Sequence, residues 1–108
     1  MVASVTKASL TSSQQKLLTE MQRINYGRIF DLPVRRGQPV MDPPPRIVRE
    51  IKFGGENGPR PEASIEDFAL KAQVVELFRY MDELQDGVIS CIEIQHGLPF
   101  RMTVEDAA

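Results

Sequence analysis

A chain of 108 residues, 42% hydrophobic and 26% charged, is long enough for one small globular domain. Its single cysteine excludes an internal disulfide and zinc sites built from several cysteines. No apolar run reaches the roughly 18 residues of a membrane-spanning helix, and the net charge is −2, so we expect a cytoplasmic protein with no membrane partner.

The first predicted element is a helix. Residues 1–10 lack the apolar core of a signal peptide and are predicted to form a flexible tail. Thr11 and Gln14 then fit a capping box. Apolar residues at helical spacing follow until Gly27. The sequence therefore predicts a helix over 13–25.

A hairpin is predicted after this helix. From Gly27 the apolar period changes to two, which predicts a half-buried strand. The residues of its inner face are predicted to be Phe30, Leu32 and Val34. Arg35–Gly37 fits a tight hairpin turn, and the chain returns over 38–41. Pro39 should lie on a sheet edge or at a bulge because proline has no backbone donor.

The rest of the chain repeats this order of elements. Residues 46–53 fit an extra strand or a short helix, with the alternating pattern favouring the strand, and 54–63 has the composition of a linker. A second helix is predicted over 65–85. A strand over 88–94 and a returning strand over 98–104 complete the pattern.

The two halves match at a spacing of 60 residues. The matched positions are Leu17/Leu77, Leu18/Phe78, Met21/Met81, Ile24/Leu84, Gly27/Gly87, Ile29/Ile89, Leu32/Ile92, Val34/Ile94, Gly37/Gly97, Pro39/Pro99 and Val40/Phe100. One unit cannot bury its own apolar face, so the two must pack together. We predict a single α+β domain of two αββ repeats, over 11–53 and 64–105, with an antiparallel sheet and both helices on one face.

The run GRIFDLPVRRGQPV, within Met21–Val40, resembles the strand–turn–strand core of the YezD-like bacterial proteins, small domains of unknown function. The resemblance covers about a fifth of the chain and repeats more faintly over Met81–Phe100. Both prolines of the returning strands and the DPPP segment over 42–45 depart from the family pattern. The resemblance implies a bacterial or phage origin and carries no activity.

A calcium site is one alternative for residues 82–93, DELQDGVISCIE. Asp82, Asp86 and Glu93 occupy positions 1, 5 and 12 of an EF-hand loop. Leu84 offers no ligand oxygen at position 3, however, and Gly97 interrupts the exit helix that this loop requires. We favour the hairpin interpretation and keep a degenerate calcium site as an alternative.

Nothing in the sequence forms a catalytic group. His96, the only histidine, falls in a predicted turn, and Cys91 falls within a predicted strand. They lie ~16 Å apart if the chain between them is extended, which is too far for a dyad. We therefore predict a protein without enzymatic activity or cofactor.

Charge is unevenly distributed along the chain. Residues 1–61 hold ten Lys/Arg and five Asp/Glu, whereas 62–108 hold three and ten. The two halves attract each other through these charges, or the basic half binds an anionic partner. The candidate nucleic-acid contacts are Arg28, Arg35, Arg36 and Arg49. An isoelectric point of about 5.4 argues against this second interpretation.

Self-association explains an apolar stripe that only the second helix carries. Its residues are Ile65, Phe68, Ala72 and Val75. A helix-mediated homodimer would cover them. We therefore predict a small binding or adaptor domain that contacts itself and an unidentified protein, with a nucleic-acid-binding regulator as the alternative.

Overall fold

The structure is a computed structural model, which describes residues 9–51, 53–54 and 71–105. Its elements are α1 (Ser12–Ile24), β1 (Gly27–Arg35), β2 (Gln38–Pro39), β3 (Arg46–Arg49), α2 (Ala72–Leu84), β4 (Gly87–Gln95) and β5 (Leu98–Val104). The strands form one antiparallel sheet in the order β2-β1-β4-β5, and β3 pairs with the first half of β1. Both helices pack on one face of the sheet, which confirms the predicted α+β class.

The core contains residues from both halves in equivalent places. Its fully buried pairs at a spacing of 60 residues include Leu17/Leu77, Met21/Met81, Ile29/Ile89, Leu32/Ile92 and Val34/Ile94. Each of the two helices therefore buries the side of its surface that the 3.6-residue period places together. Neither helix within the described ranges is long and apolar enough to cross a membrane.

Each helix ends in a turn with positive φ. Asn25 has φ 62° and ψ −53°, and Gln85 has φ 63° and ψ −70°. The residue after each donates its backbone N–H to the carbonyl of the residue before it, at 2.7 and 2.8 Å, which closes a three-residue γ-turn. This form of the γ-turn is rare and strained, so its occurrence at both helix ends needs a compensating contact.

The carbonyl groups of these two turn residues supply that contact. Gly97 N donates to Asn25 O at 2.9 Å, and Gly37 N donates to Gln85 O at 2.8 Å. Both glycines are buried and have positive φ, 75° at Gly37 and 71° at Gly97. Each hairpin turn is thus anchored on the helix end of the other half.

The predicted inner face of β1 is wrong at its first residue. Ile29, Leu32 and Val34 are buried, whereas Phe30 is half-buried on the outer face. The cause is Asp31, whose φ of 54° interrupts the alternation. The pairing of β1 with β4 skips this residue and Ser90 opposite it, so the face changes between Ile29 and Leu32.

Helix boundaries follow the sequence more closely in the first half than in the second. The predicted capping box is confirmed, since Gln14 N donates to Thr11 Oγ1 at 3.2 Å and Thr11 N donates to Gln14 Oε1 at 3.0 Å. The predicted continuous helix over 65–85 is wrong at Lys71, whose backbone is extended (φ −68°, ψ 154°), and α2 begins at Ala72. The earlier part of that helix and most of the predicted linker lie outside the described residues.

The ambiguous segment and the prolines have clear places. Residues 46–49 form a strand, as the alternating pattern favoured. Pro39 and Pro99 lie on β2 and β5 at opposite edges of the sheet, as their missing donors required.

We expect Gly27→Ala to lower the free energy of unfolding by about 1–3 kcal/mol, as overpacking does. An added Cβ at Gly27 would lie 2.2 Å from Val48 O and 3.0 Å from Arg49 Cα, so β3 has to move away. The matched control is Gly87→Ala, whose Cβ would meet only the flexible Leu84 side chain, at 3.3 Å. Urea denaturation measures both, and equal losses would contradict this role of Gly27.

We expect Gln85→Gly to be more stable than Gln85→Val by at least about 1 kcal/mol, because only glycine holds the positive φ of this turn without strain. Both variants lose the Gln85 side-chain amide, so their difference reports the backbone alone. At Glu83, within α2, the same pair of substitutions should have the opposite order, since glycine is the poorer helix former. Thermal unfolding tests this, and the same order at both positions would refute it.

Candidate functional site

A groove between α2 and β5 is the most apolar exposed surface of the described chain. It consists of two adjoining cavities of about 310 and 400 Å³. Both cavities are lined by Tyr80 and Met102. Tyr80 is 48% exposed and Phe100, at one end of the groove, is 56% exposed. Two large aromatic side chains thus lie half in solvent beside one another, which soluble proteins seldom tolerate without a purpose.

The equivalent place in the first half shows that the fold does not require these aromatics. At the spacing of 60 residues, Glu20 stands where Tyr80 stands, and Val40 where Phe100 stands. Glu20 is ion-paired with Arg23 at 2.8 Å. The groove between α1 and β2 is polar, because Thr11 and Ser13 hydrogen-bond Gln38 across it. The same architecture therefore forms with and without exposed aromatic groups.

A second exposed feature is the outer face of β1 and β3, where three side chains lie together. We call Arg28, Phe30 and Arg46 the cationic face. Arg46 is paired across the strands with Phe30, and Arg28 with Val48. The guanidinium carbon of Arg46 lies 4.2 Å from the centre of the Phe30 ring, which is a cation–π contact.

The arginines of the described chain divide into two groups. Arg23, Arg79 and Arg101 each pair with a glutamate, at 2.8, 3.8 and 3.5 Å. The arginines of β1, its turn and β3 have no carboxylate oxygen within 4.0 Å among the described residues; they are Arg28, Arg35, Arg36, Arg46 and Arg49. The unpaired cations are thus concentrated on one side of the sheet.

The four arginines predicted to contact nucleic acid do not form one site. Arg28 and Arg49 lie at one end of β1, because Arg49 pairs with Gly27. Arg35 and Arg36 lie at its other end, ~23 Å away along the strand. Arg36 N donates to Asp86 Oδ1 at 3.2 Å, so this hairpin tip lies against the acidic end of α2.

The residues of the predicted calcium loop are also separated. Asp82 belongs to α2, and Asp86 follows that helix. Glu93 lies far along β4, ~20 Å from Gly87, with its carboxylate 3.5 Å from Arg101 Nε. The EF-hand interpretation is therefore wrong in geometry, and the described residues hold no cluster of three or more metal-binding side chains.

Of the predicted dimer stripe, only part is visible. Ala72 is exposed at the start of α2 and Val75 is half-buried. Ile65 and Phe68 lie outside the described residues. The stripe as a whole stays a prediction.

His96 and Cys91 have structural surroundings. Tyr26 Oη lies 2.7 Å from His96 Nδ1, at the place where Asp86 contacts the Arg36 turn in the other half. Cys91 is half-buried and lies opposite Phe30 on the outer face of the sheet. The histidine therefore belongs to an anchored turn, and the thiol lies elsewhere on the sheet.

Sequence analysis missed three residues of these surfaces, Arg46, Tyr80 and Phe100, as site residues. The 60-residue register contains the signal for Tyr80, because a tyrosine replaces an ion-paired glutamate there. Arg46 carries no comparable signal, since its neighbour Phe30 was assigned to the opposite face of the strand.

We expect millimolar calcium to produce no saturable heat in calorimetry and no change in the unfolding temperature, because Glu93 is held on a strand away from Asp82. A variant with Asp82→Asn and Asp86→Asn is the control for any heat that does appear. Saturable binding that this variant abolishes would contradict the expectation.

Two surfaces of the described chain thus carry exposed groups that its fold does not require, the groove between α2 and β5 and the cationic face. The first is apolar and the second is basic. Comparisons with protein-family models, with curated proteins and with solved structures find no match to this chain.

Proposed function

We propose that this protein is a small non-enzymatic binding domain, and that the groove between α2 and β5 binds a second copy of the chain. The observation that carries the proposal is the exposure of Tyr80 and Phe100 at a place where the first half has Glu20 and Val40. Aromatic side chains at the centre of a patch supply most of the energy of protein interfaces.

A second copy fits this surface because the surface is self-complementary. A twofold interface brings the same patch of both subunits together. The groove has apolar side chains at its centre, and Glu76 and Arg101 also line it with opposite charges. A twofold axis through the groove allows Arg101 of each copy to approach Glu76 of the other.

Contact through side chains is favoured over pairing of the two β5 edges. Pro99 has no backbone donor, and the pairing of β4 with β5 skips Phe100 between Pro99 and Arg101. A proline and a bulge are two of the devices that prevent sheets from joining at their edges. The aromatic side chains, rather than the strand backbone, are therefore the binding groups.

We expect the wild-type protein to have twice its chain mass of 12.2 kDa in size-exclusion chromatography with light scattering. The double variant Tyr80→Glu/Phe100→Val should be monomeric, because it removes the aromatic anchors. It introduces the residues found at the equivalent places of the first half, so the fold should be kept, which circular dichroism checks.

Phe53→Asp is the matched control, since Phe53 is 93% exposed but lies outside the groove. This variant should remain dimeric. A wild-type protein that stays monomeric at high concentration would refute self-association. A dimer that survives loss of both aromatics but is broken by Phe68→Asp would place the interface on the predicted stripe instead.

A further inference from the structure

We infer that the cationic face of β1 and β3 is a binding site for single-stranded nucleic acid, with Arg28 and Arg46 contacting phosphates and the stacked Arg46 and Phe30 receiving a base. This site is separate from the groove between α2 and β5 and goes beyond the function proposed above. It lies on the outer face of the sheet, which the helices leave uncovered.

Charge complementarity is the first argument. Arg28 and Arg46 are exposed and have no carboxylate partner among the described residues, whereas the arginines of α1, α2 and β5 are all paired with glutamate. Arg28 and Arg46 are diagonal neighbours on paired strands, about 7–8 Å apart at their backbones. Two adjacent unpaired guanidinium groups on one face suit the phosphates of a single strand.

The stack of Arg46 on Phe30 is the second argument. Unpaired bases bind proteins by stacking on aromatic rings and on arginine planes. A guanidinium 4.2 Å above a half-buried ring is held in the orientation that such stacking needs. A site for phosphate alone does not need a ring beneath its arginine.

The hairpin geometry favours a single strand over a duplex. A two-stranded ribbon reads duplex DNA by inserting into the major groove. Here the tip of the β1–β2 hairpin is fixed against α2, through Gly37 N to Gln85 O at 2.8 Å and Arg36 N to Asp86 Oδ1 at 3.2 Å. The tip is therefore not free to enter a groove, while the outer face remains open.

Two acidic residues limit the size of the site. Glu93 lies opposite Arg28 on β4, but its carboxylate contacts Arg101 Nε at 3.5 Å. Asp31 is exposed next to Phe30 in the chain. The cationic face is thus bounded on two sides, which suits contact with a few nucleotides.

The test uses the full chain and fluorescein-labelled 12-nucleotide strands of uridine RNA and thymidine DNA, followed by fluorescence anisotropy. Binding should weaken with salt, as counterion release requires. Arg28→Ala and Arg46→Ala should each lower the slope of log affinity against log salt by about 0.7. Phe30→Leu should weaken binding about tenfold because it removes the stacking surface, with the slope unchanged.

Arg23→Ala and Arg79→Ala are the matched controls, since these arginines are ion-paired on the helices. They should bind as the wild type does. A second measurement is alkylation of Cys91, whose thiol belongs to the same face as Phe30. Bound strands should slow this reaction in the folded wild type and should not do so in Arg28→Ala/Arg46→Ala.

Absence of binding at about 50 mM salt, equal losses in the control variants, or preference for duplex DNA would each overturn the inference. So would equal competition by dextran sulfate together with unchanged binding by Phe30→Leu, which would show binding to any polyanion. The groove variant Tyr80→Glu/Phe100→Val should bind the strands normally, so failure of the proposed dimer and failure of this site give different results.

Discussion

The fold depends on one reciprocal pair of hydrogen bonds, in which the carbonyl at the end of each helix accepts the N–H of the glycine in the opposite hairpin turn. To present these carbonyls, Asn25 and Gln85 adopt a strained backbone that costs on the order of 1–3 kcal/mol each. The strain persists because the surrounding contacts fix it from both sides. The central strands β1 and β4 then run antiparallel between two equivalent anchors, and their inward aliphatic side chains meet both helices in a single core.

On this shared scaffold the two halves differ where their surfaces differ. The first half closes the groove beside its helix with Thr11, Ser13 and Gln38, and it carries the unpaired arginines on β1 and β3. The second half leaves Tyr80 and Phe100 exposed beside its own helix and holds Arg101 in an ion pair. Because the scaffold tolerates both sets of side chains, the differences between equivalent positions separate residues that serve the fold from residues available for binding.

Most of the fold follows from local sequence signals, and the exceptions have physical causes. The capping box at Thr11, the glycine turns and the edge prolines are determined by short-range chemistry, so they were predictable. The inner face of β1 was not, because an aspartate at φ 54° interrupts the alternation without any glycine to signal it. That single error assigned Phe30 to the wrong face and concealed its contact with Arg46. The break at Lys71 was hidden for a related reason, since apolar residues continue at helical spacing across it.

The exchange of turns between the halves also affects the order of events during synthesis. Asn25 O receives its donor only from Gly97, which the ribosome adds 72 positions later. At typical rates of about 5–20 residues per second, this interval is roughly 4–14 s. During it the first helix and hairpin exist without the second helix and β4, which cover their apolar side chains in the finished fold. The nascent chain therefore exposes Leu32 and Val34 until the second half emerges, a period in which a chaperone or a neighbouring nascent chain has access to them.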